Sequence, residues 1–385
     1  HGITNVHIGQ DGSFIAEEHD RQPIDWFVYS SAVAIENPNS PELRFCQQHG
    51  IKTSKRDEFI NFFIQQKNLK LVAVAGTHGK TTTTAMLIWL FKQLGRPVSY
   101  SVGAKLSYGE MGEYAEGSEY FVYEADEFDH NFLAFHPYLS LISGVDWDHP
   151  DIYPTREDYE QAFRDFTGQS EWTIFWQTDF TKLGLANSDH YLILNENDPA
   201  LSQFKLPGQV NRQDAWQVVQ AVHELIQTPV AQLVTFMNNF PGLSRRFEEI
   251  VPGLYSDYAH TPEKIRGALE TAEELAGKNV VVVYEGLHNT RQHFIKDELK
   301  HLFDHVKQLY IVPSYLARED PNLPQLSPQD LINLTSQPAK VKPAGLNDEL
   351  QERIKNHLKA GDLILCLTAG GGGSLDEWLR KEFTT

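Results

Sequence analysis

Cysteine is nearly absent from this chain of 385 residues: there are two, Cys46 and Cys366, far apart and outside any metal-ligand spacing. That excludes a disulfide framework and suits a reducing compartment, so a cytoplasmic protein is expected. Long apolar runs are missing as well. The stretches Leu71–Ala75 and Val280–Tyr284 fall far short of the ~20 residues a membrane span requires, and no signal-peptide pattern precedes them. Positive charge is scarce: 33 Lys and Arg against 52 Asp and Glu leave a formal charge of −19. A general nucleic-acid binder needs a basic footprint that this balance does not supply. An acidic protein with anionic ligands must instead gather its cations locally or recruit metal ions. Repeats and low-complexity tracts are absent too.

What is present is an ordinary globular composition, 41% hydrophobic and 22% charged, in a chain long enough for two or three domains. Residues 1–68 mix strand-like and helical pieces: Asp25–Tyr29 as a strand, Pro41–His49 and Lys55–Gln66 with helical apolar spacing. Residues 69–236 open on the strand Leu71–Ala75, followed by a glycine-rich turn and a helix carrying Leu87, Leu90 and Leu94. Short apolar strands at Tyr120–Tyr123 and Leu139–Ile142 each end in acidic residues. Residues 237–385 again alternate: Leu254–Ser256, a helix from Pro262, Val280–Tyr284, Gln308–Val312 and Leu363–Leu367. Thr261 before Pro262 is placed to cap that helix through its hydroxyl. Strands alternating with helices imply an α/β protein with parallel sheets covered by helices.

The turn Gly76-Thr77-His78-Gly79-Lys80-Thr81-Thr82 carries the most chemistry. A strand feeding such a turn into a helix N-terminus aims several backbone N–H groups at one point, and the helix dipole adds to the pull on anions. Gly79 permits close backbone approach, Lys80 reaches terminal phosphates, and the Thr81 hydroxyl suits magnesium. Val74 stands where the strict phosphate-loop pattern has a further glycine, so this is a variant, Gly-x-x-Gly-Lys-Thr. A chance threonine-capped turn is the bland alternative; strand, loop, Lys-Thr and helix falling in the required order argue against it.

Glu124-Ala125-Asp126-Glu127 follows one strand directly, and Asp146-Trp147-Asp148-His149-Pro150-Asp151 lies beyond the next. Ligands of open α/β sheets gather at the carboxyl ends of the strands. Magnesium takes one or two carboxylates beside phosphate oxygens, and Glu124, nearest the strand end, is the best candidate. His149 is a second metal ligand or orients a bound water; an exposed acidic turn is the alternative for the first cluster, and an unremarkable histidine in an acidic loop for the second. Gly370–Gly373 looks like another phosphate loop but lacks the Gly-x-Gly-x-x-Gly spacing, and a tight strand-to-helix turn is favoured. Trp147 and Trp216 are read as packing residues. Arg245 is left open between a second phosphate contact and a solvated charge.

Taken together, Ala75–Thr83, Glu124-Ala125-Asp126-Glu127 and Asp148-His149 resemble the Mur ligases, ATP-dependent amide-forming enzymes of peptidoglycan synthesis. The likeness runs through nearly the whole chain. It takes in Tyr29-Ser30-Ser31-Ala32 with Asn37-Pro38, Leu206-Pro207-Gly208 with Asn211, Arg245-Arg246-Phe247 and Asp257-Tyr258-Ala259-His260-Thr261-Pro262. Tyr315-Leu316-Ala317-Arg318-Glu319 and Gly361-Asp362-Leu363 complete it.

The resemblance implies three domains: an incomplete Rossmann-like N-terminal domain for the UDP-sugar (1–68), a central ATPase-type parallel-sheet domain (69–236) and a C-terminal Rossmann-like domain for the amino acid (237–385). It implies ATP and Mg2+ as cofactors, UDP-N-acetylmuramate as donor and L-alanine or a murein peptide as acceptor, in a monomer or homodimer. Lys80 and Thr81 then hold phosphates and magnesium, Glu124 and His149 serve the metals, and Asn211 meets the base or ribose. Arg246 and Asp257 act on ATP, while His260 and His288-Asn289-Thr290-Arg291 face the acceptor, with His260 a possible base.

Four departures stand out. The family's early glycine-rich turn is missing, as though the chain opened after it. Gly144 stands where the family has asparagine, and Val210 and Asp214 flank Asn211 in place of histidine and a second asparagine. Glu285–Arg291 lacks the Pro-His-Arg of alanine-adding enzymes and aligns as well with the murein-tripeptide ligase. Two other readings are a phosphate-loop NTPase switch and a catalytically silent nucleotide-binding relative.

Overall fold

A computed structural model describes residues 6–9, 11–30, 33, 37, 39–149, 152–316, 319–368, 370 and 372–384. Of the motif residues above, Ser31, Ala32, Pro38, Pro150, Asp151, Ala317, Arg318 and Gly371 lie outside the described residues. The chain divides into two compact units, one of residues 1–80, 96–101 and 113–194, the other of residues 81–95, 102–112 and 195–385.

The first unit opens on a small parallel pair, β1 (Trp26–Tyr29) and β2 (Lys52–Lys55), with Trp26 opposite Lys52. Alternation gives the pair two different faces. Phe27 joins a small core with buried Ile15, Cys46 and Ile51, while Trp26 meets Phe59 and Phe62 of the helix Arg56–Gln66 edge-on.

The larger sheet of this unit is built from β3 (Lys70–Ala75), β4 (Ser99–Ser101), β5 (Gly112–Glu113), β6 (Tyr120–Glu124), β7 (Leu139–Ile142), β8 (Trp172–Trp176) and β9 (Tyr191–Leu194). Its order is β5-β4-β6-β3-β7-β8-β9, and every pairing from β4 to β9 is parallel. Leu71 to Ala75 are all buried, as expected of a central parallel strand, which needs apolar residues on both faces. Against one face pack Phe132, Phe135, Tyr153, Tyr159, Phe163 and Phe166. The last three lie on the helix Arg156–Gly168, whose start is fixed by a reciprocal Thr155–Asp158 capping box.

The second unit holds a six-stranded sheet: β10 (Glu248–Val251), β11 (Leu254–Asp257), β12 (Val280–Leu287), β13 (Gln308–Tyr315), β14 (Val341–Pro343) and β15 (Leu363–Leu367). The order is β10-β11-β15-β12-β13-β14, with only β10 antiparallel. Two apolar clusters cover its faces, one with Ile265, Leu269 and Ala272 of the helix Pro262–Ala276, the other with Leu350, Ile354, Leu375 and Leu379. The strands of the three sheets lie within residues 26–55, 70–194 and 248–367. One local expectation fails. Thr261 does stand at the N-cap before Pro262, but its hydroxyl makes no capping bond, so the proline's preset φ is what starts this helix.

Candidate active site

β3 lies between β6 and β7, with Val74 opposite Glu124 and Ala75 opposite Ile142. Parallel strands all end on the same edge, so residues 76–80, 124–127 and 143–149 are brought together there. Gly79 adopts a left-handed φ of 74°, the conformation that favours glycine. A side chain on Gly76 would overlap the Ser143 hydroxyl. The turn is bolted to the segment after β7: Thr77 N donates to Gly144 O at 2.8 Å, Thr77 Oγ1 donates to Asp146 O at 2.6 Å and accepts from Asp146 N at 2.8 Å. The buried Tyr159 hydroxyl lies 2.7 Å from the same Thr77 oxygen.

Lys80 Nζ donates to Gly76 O and to Glu127 Oε2, each at 2.6 Å. Burial opposes its charge, but Glu127, with Asp126 and Glu124 nearby, holds its pKa above the ordinary lysine value. Glu127 is 1% exposed, so an ammonium is the partner that makes its burial tolerable. Its backbone carbonyl accepts from Tyr153 OH at 2.5 Å. His149 Nε2 lies 3.9 Å from Glu127 Oε1 and 3.8 Å from Asp148 Oδ2, at a strained φ of 55°. Asp126, pushed upward by burial and then by Glu127, completes the cluster. Lys80, His149 and the acid run therefore share one locus, with Glu127 as the partner of Lys80. Thr81, in the first turn of the helix Lys80–Gln93, is buried.

Among the described residues no three His, Cys, Asp or Glu side chains form a metal cage. His301 and His305 stand four apart, but on no α-helix, and His301 is bonded to Asp304. The donors at the strand ends do fit magnesium that arrives with a nucleotide, since such an ion needs few protein ligands beside phosphate oxygens and water.

In the second unit, Asp257 ends β11, where its Oδ2 accepts from Phe247 N at 2.7 Å. Burial raises its carboxyl to about 6 against the pull of Arg246. The Arg245 and Arg246 guanidinium groups lie 4.6 and 5.3 Å from the Tyr258 ring centre, and Arg245 Nε stands 3.7 Å from Asp376. Arg245 is thus a half-buried charge, 32% exposed at its side chain, with Asp376 as its ion partner. Arg245 and Phe247 both take positive φ, strain of a kind that gathers at functional turns. His260 is buried; burial, then Lys264 and Arg291, drive its pKa well below the ordinary value, so it is neutral. With Nδ1 donating to Tyr258 O at 2.9 Å, Nε2 keeps the lone pair.

Asn211 donates to Pro207 O at 2.7 Å from the start of the helix Gln209–Ile226. Of the stretch His288–Arg291, Asn289 is occupied with Pro324 and Leu326, and Glu319 accepts from Thr290 N. Gly373 N donates to Glu377 at the start of the helix Leu375–Phe383, as suits a strand-to-helix turn. Trp216 is packed against Phe204, whereas Trp147 stays 37% exposed. Sequence reasoning missed Glu127 as the partner of Lys80, although it stood in the quoted acid run. It missed Lys182 and Asp179, which meet the segment after β7, because no local pattern marks them.

A parallel sheet whose central strand runs into this turn, with a half-buried lysine and carboxylates on the adjoining strand ends, defines a phosphate-loop nucleotide-binding protein. Residues 74–218 match the Mur ligase middle domain, and residues 245–370 match the Mur ligase glutamate ligase domain. The chain belongs to the Mur ligase family. It is 27% identical over 339 aligned positions to a UDP-N-acetylmuramate–L-alanine ligase of Lactococcus lactis, covering 80% of this chain and 74% of that one. To the enzyme of the same name from Clostridium novyi it is 26% identical, covering 95% and 85%. Among solved structures, the UDP-N-acetylmuramate–alanine ligase of Thermotoga maritima superimposes with a TM-score of 0.70 at 20% identity, over 94% of this chain and 84% of that one. A murein peptide ligase from Psychrobacter arcticus gives 0.60 at 19% identity, over 96% and 87%.

Proposed function

We propose that this protein is an ATP-dependent ligase of peptidoglycan synthesis that joins the carboxylate of UDP-N-acetylmuramate to L-alanine through an acyl phosphate. The observation that carries this reading is the half-buried Lys80 ammonium, held at the glycine turn beside Glu127 and His149. A carboxylate attacking the γ-phosphorus of ATP approaches a polyanion, in a protein of net charge −19. Lys80 supplies fixed positive charge for that step, where preorganised groups act most strongly, and Arg246 is assigned to ATP as the family pattern implies. Magnesium, when bound with ATP at Thr81, Glu124 and His149, would screen the phosphate charge. Asn211 and Asp257 are assigned to the nucleotide, as the family pattern implies. ADP leaves, the neutral amine adds to the acyl carbon, and inorganic phosphate departs. His260 Nε2 is the base for the amine's proton. Among the described residues no helix is long and apolar enough to cross a membrane.

A second reading, ligation of a murein peptide, draws on Glu285–His288. The wider stretch Glu285–Arg291 lacks the Pro-His-Arg of alanine-adding enzymes, and Glu285 Oε1 accepts from Leu375 N at 2.9 Å. Phosphate release from ATP and UDP-N-acetylmuramate, measured across single amino acids and the tripeptide, separates the two. Turnover with neither acceptor class would sink both.

A further inference from the structure

Gly144, which stands where the family has asparagine, has a use in this chain. A side chain there would overlap the His78 ring, so the imidazole fills the space that a larger residue would take. From that position His78 Nε2 meets Asp146 Oδ2 at 3.1 Å. The other carboxylate oxygen of Asp146 accepts from Lys182 Nζ at 2.8 Å, and Lys182 also donates to Val145 O. Ser143 Oγ donates to the His78 carbonyl. The Asp146 backbone holds Thr77 through both its N–H and its carbonyl. One residue, Asp146, thereby grips two consecutive members of the nucleotide turn, one by backbone and one by side chain.

We infer that Asp146, anchored by Lys182, is the positioning residue of the phosphate loop: it fixes His78 over Gly144 and so sets the loop's grip on a nucleoside triphosphate. The inference rests on the reading of residues 76–81 as a nucleotide loop, and on nothing about the acceptor. A loop already frozen in its binding shape loses less conformational entropy when the phosphates arrive. The hydrogen bond from His78 and the ammonium of Lys182 outweigh burial and hold the Asp146 carboxyl well below the usual range. The anchor therefore remains ionised and able to hold both partners.

The test is the dissociation constant of a fluorescent ATP analogue with magnesium, measured on the full chain. His78→Ala and Asp146→Ala should each weaken binding roughly ten-fold, the loss of one charge-assisted bond. The double variant should bind no more than about two-fold worse than either single, because both remove the same contact. His78→Gln, whose amide can still donate to Asp146, should return to within about three-fold of the parent. Gly144→Ala should resemble His78→Ala; if it fails to fold, the His78 and Asp146 pair still decides. Unchanged affinity in His78→Ala and Asp146→Ala, whatever happens to their melting temperatures, would overturn the inference. So would losses that multiply in the double variant. Binding needs no acceptor, so failure of amide formation leaves this result standing. A parent chain that bound no nucleotide would instead remove the proposed function itself.

Discussion

Asp257 has a carboxyl raised to about 6 by burial, from an ordinary value of 3.8. Between those two values the folded chain keeps a proton that the unfolded chain has lost, so stability declines as pH rises from about 4 to about 6. Above that window the cost is constant. Asp257→Asn can still accept from Phe247 N but cannot ionise, and should remove a decline on the order of 1–3 kcal/mol. Urea unfolding at pH 4, 5, 6 and 7 reads this directly; parallel pH profiles for the two proteins would reject it. Lys80→Ala makes a different demand. Loss of a preorganised positive group at a phosphate costs roughly 100- to 1000-fold in rate. It should also leave Glu127 buried without its cation, lowering stability by a further ~1–3 kcal/mol. Single-turnover rates beside melting curves distinguish the two effects, and near-normal turnover would contradict the role given to Lys80.

At the level of elements, the join between the helices Gln209–Ile226 and Pro262–Ala276 offers a contrast between backbone and charge. Gly208 caps the first helix at φ 83°, and a side chain there would overlap the Thr271 hydroxyl. Nearby, Arg212 reaches Glu274 through two bonds of 2.8 and 3.0 Å, with Glu274 43% exposed. Gly208→Ala should cost about 1–3 kcal/mol, through strain and overlap together, whereas Arg212→Ala should cost about 0–1 kcal/mol because the pair is solvent-screened. Equal losses in urea titrations of the two variants would reject that ranking. The same physics governs what was legible beforehand. Leu71–Ala75, Leu139–Ile142 and Leu363–Leu367 announce themselves because buried parallel strands need apolar residues on both faces. Ser99–Ser101 has no such run; its buried Ser99 instead shares a hydrogen bond with Ser118. The turn at Gly76–Lys80 was legible because its geometry demands particular residues in order. The Asp146–Lys182 anchor was not, because 36 residues separate two ordinary charges that only the fold brings together.

For the whole molecule, two units with separate cores make a single cooperative transition a poor expectation, and calorimetry should resolve more than one. A ligand raises the stability of whatever folded species binds it, by ~2.7 kcal/mol at a hundred times its dissociation constant. MgATP should therefore move at least one transition upward, and Lys80→Ala should abolish most of that movement. Arg246, in the other unit, supplies the sharper test. Its guanidinium lies over Tyr258 and offsets the burial of Asp257, so its loss perturbs the protein without nucleotide as well. The informative quantity is thus the increment on adding MgATP rather than the melting temperature itself. If Arg246 serves the nucleotide, Arg246→Ala should shrink that increment as Lys80→Ala does, even after the lower starting point is subtracted. An increment that survived Arg246→Ala intact would confine nucleotide binding to the Lys80 turn and leave Arg246 to structure or to the acceptor.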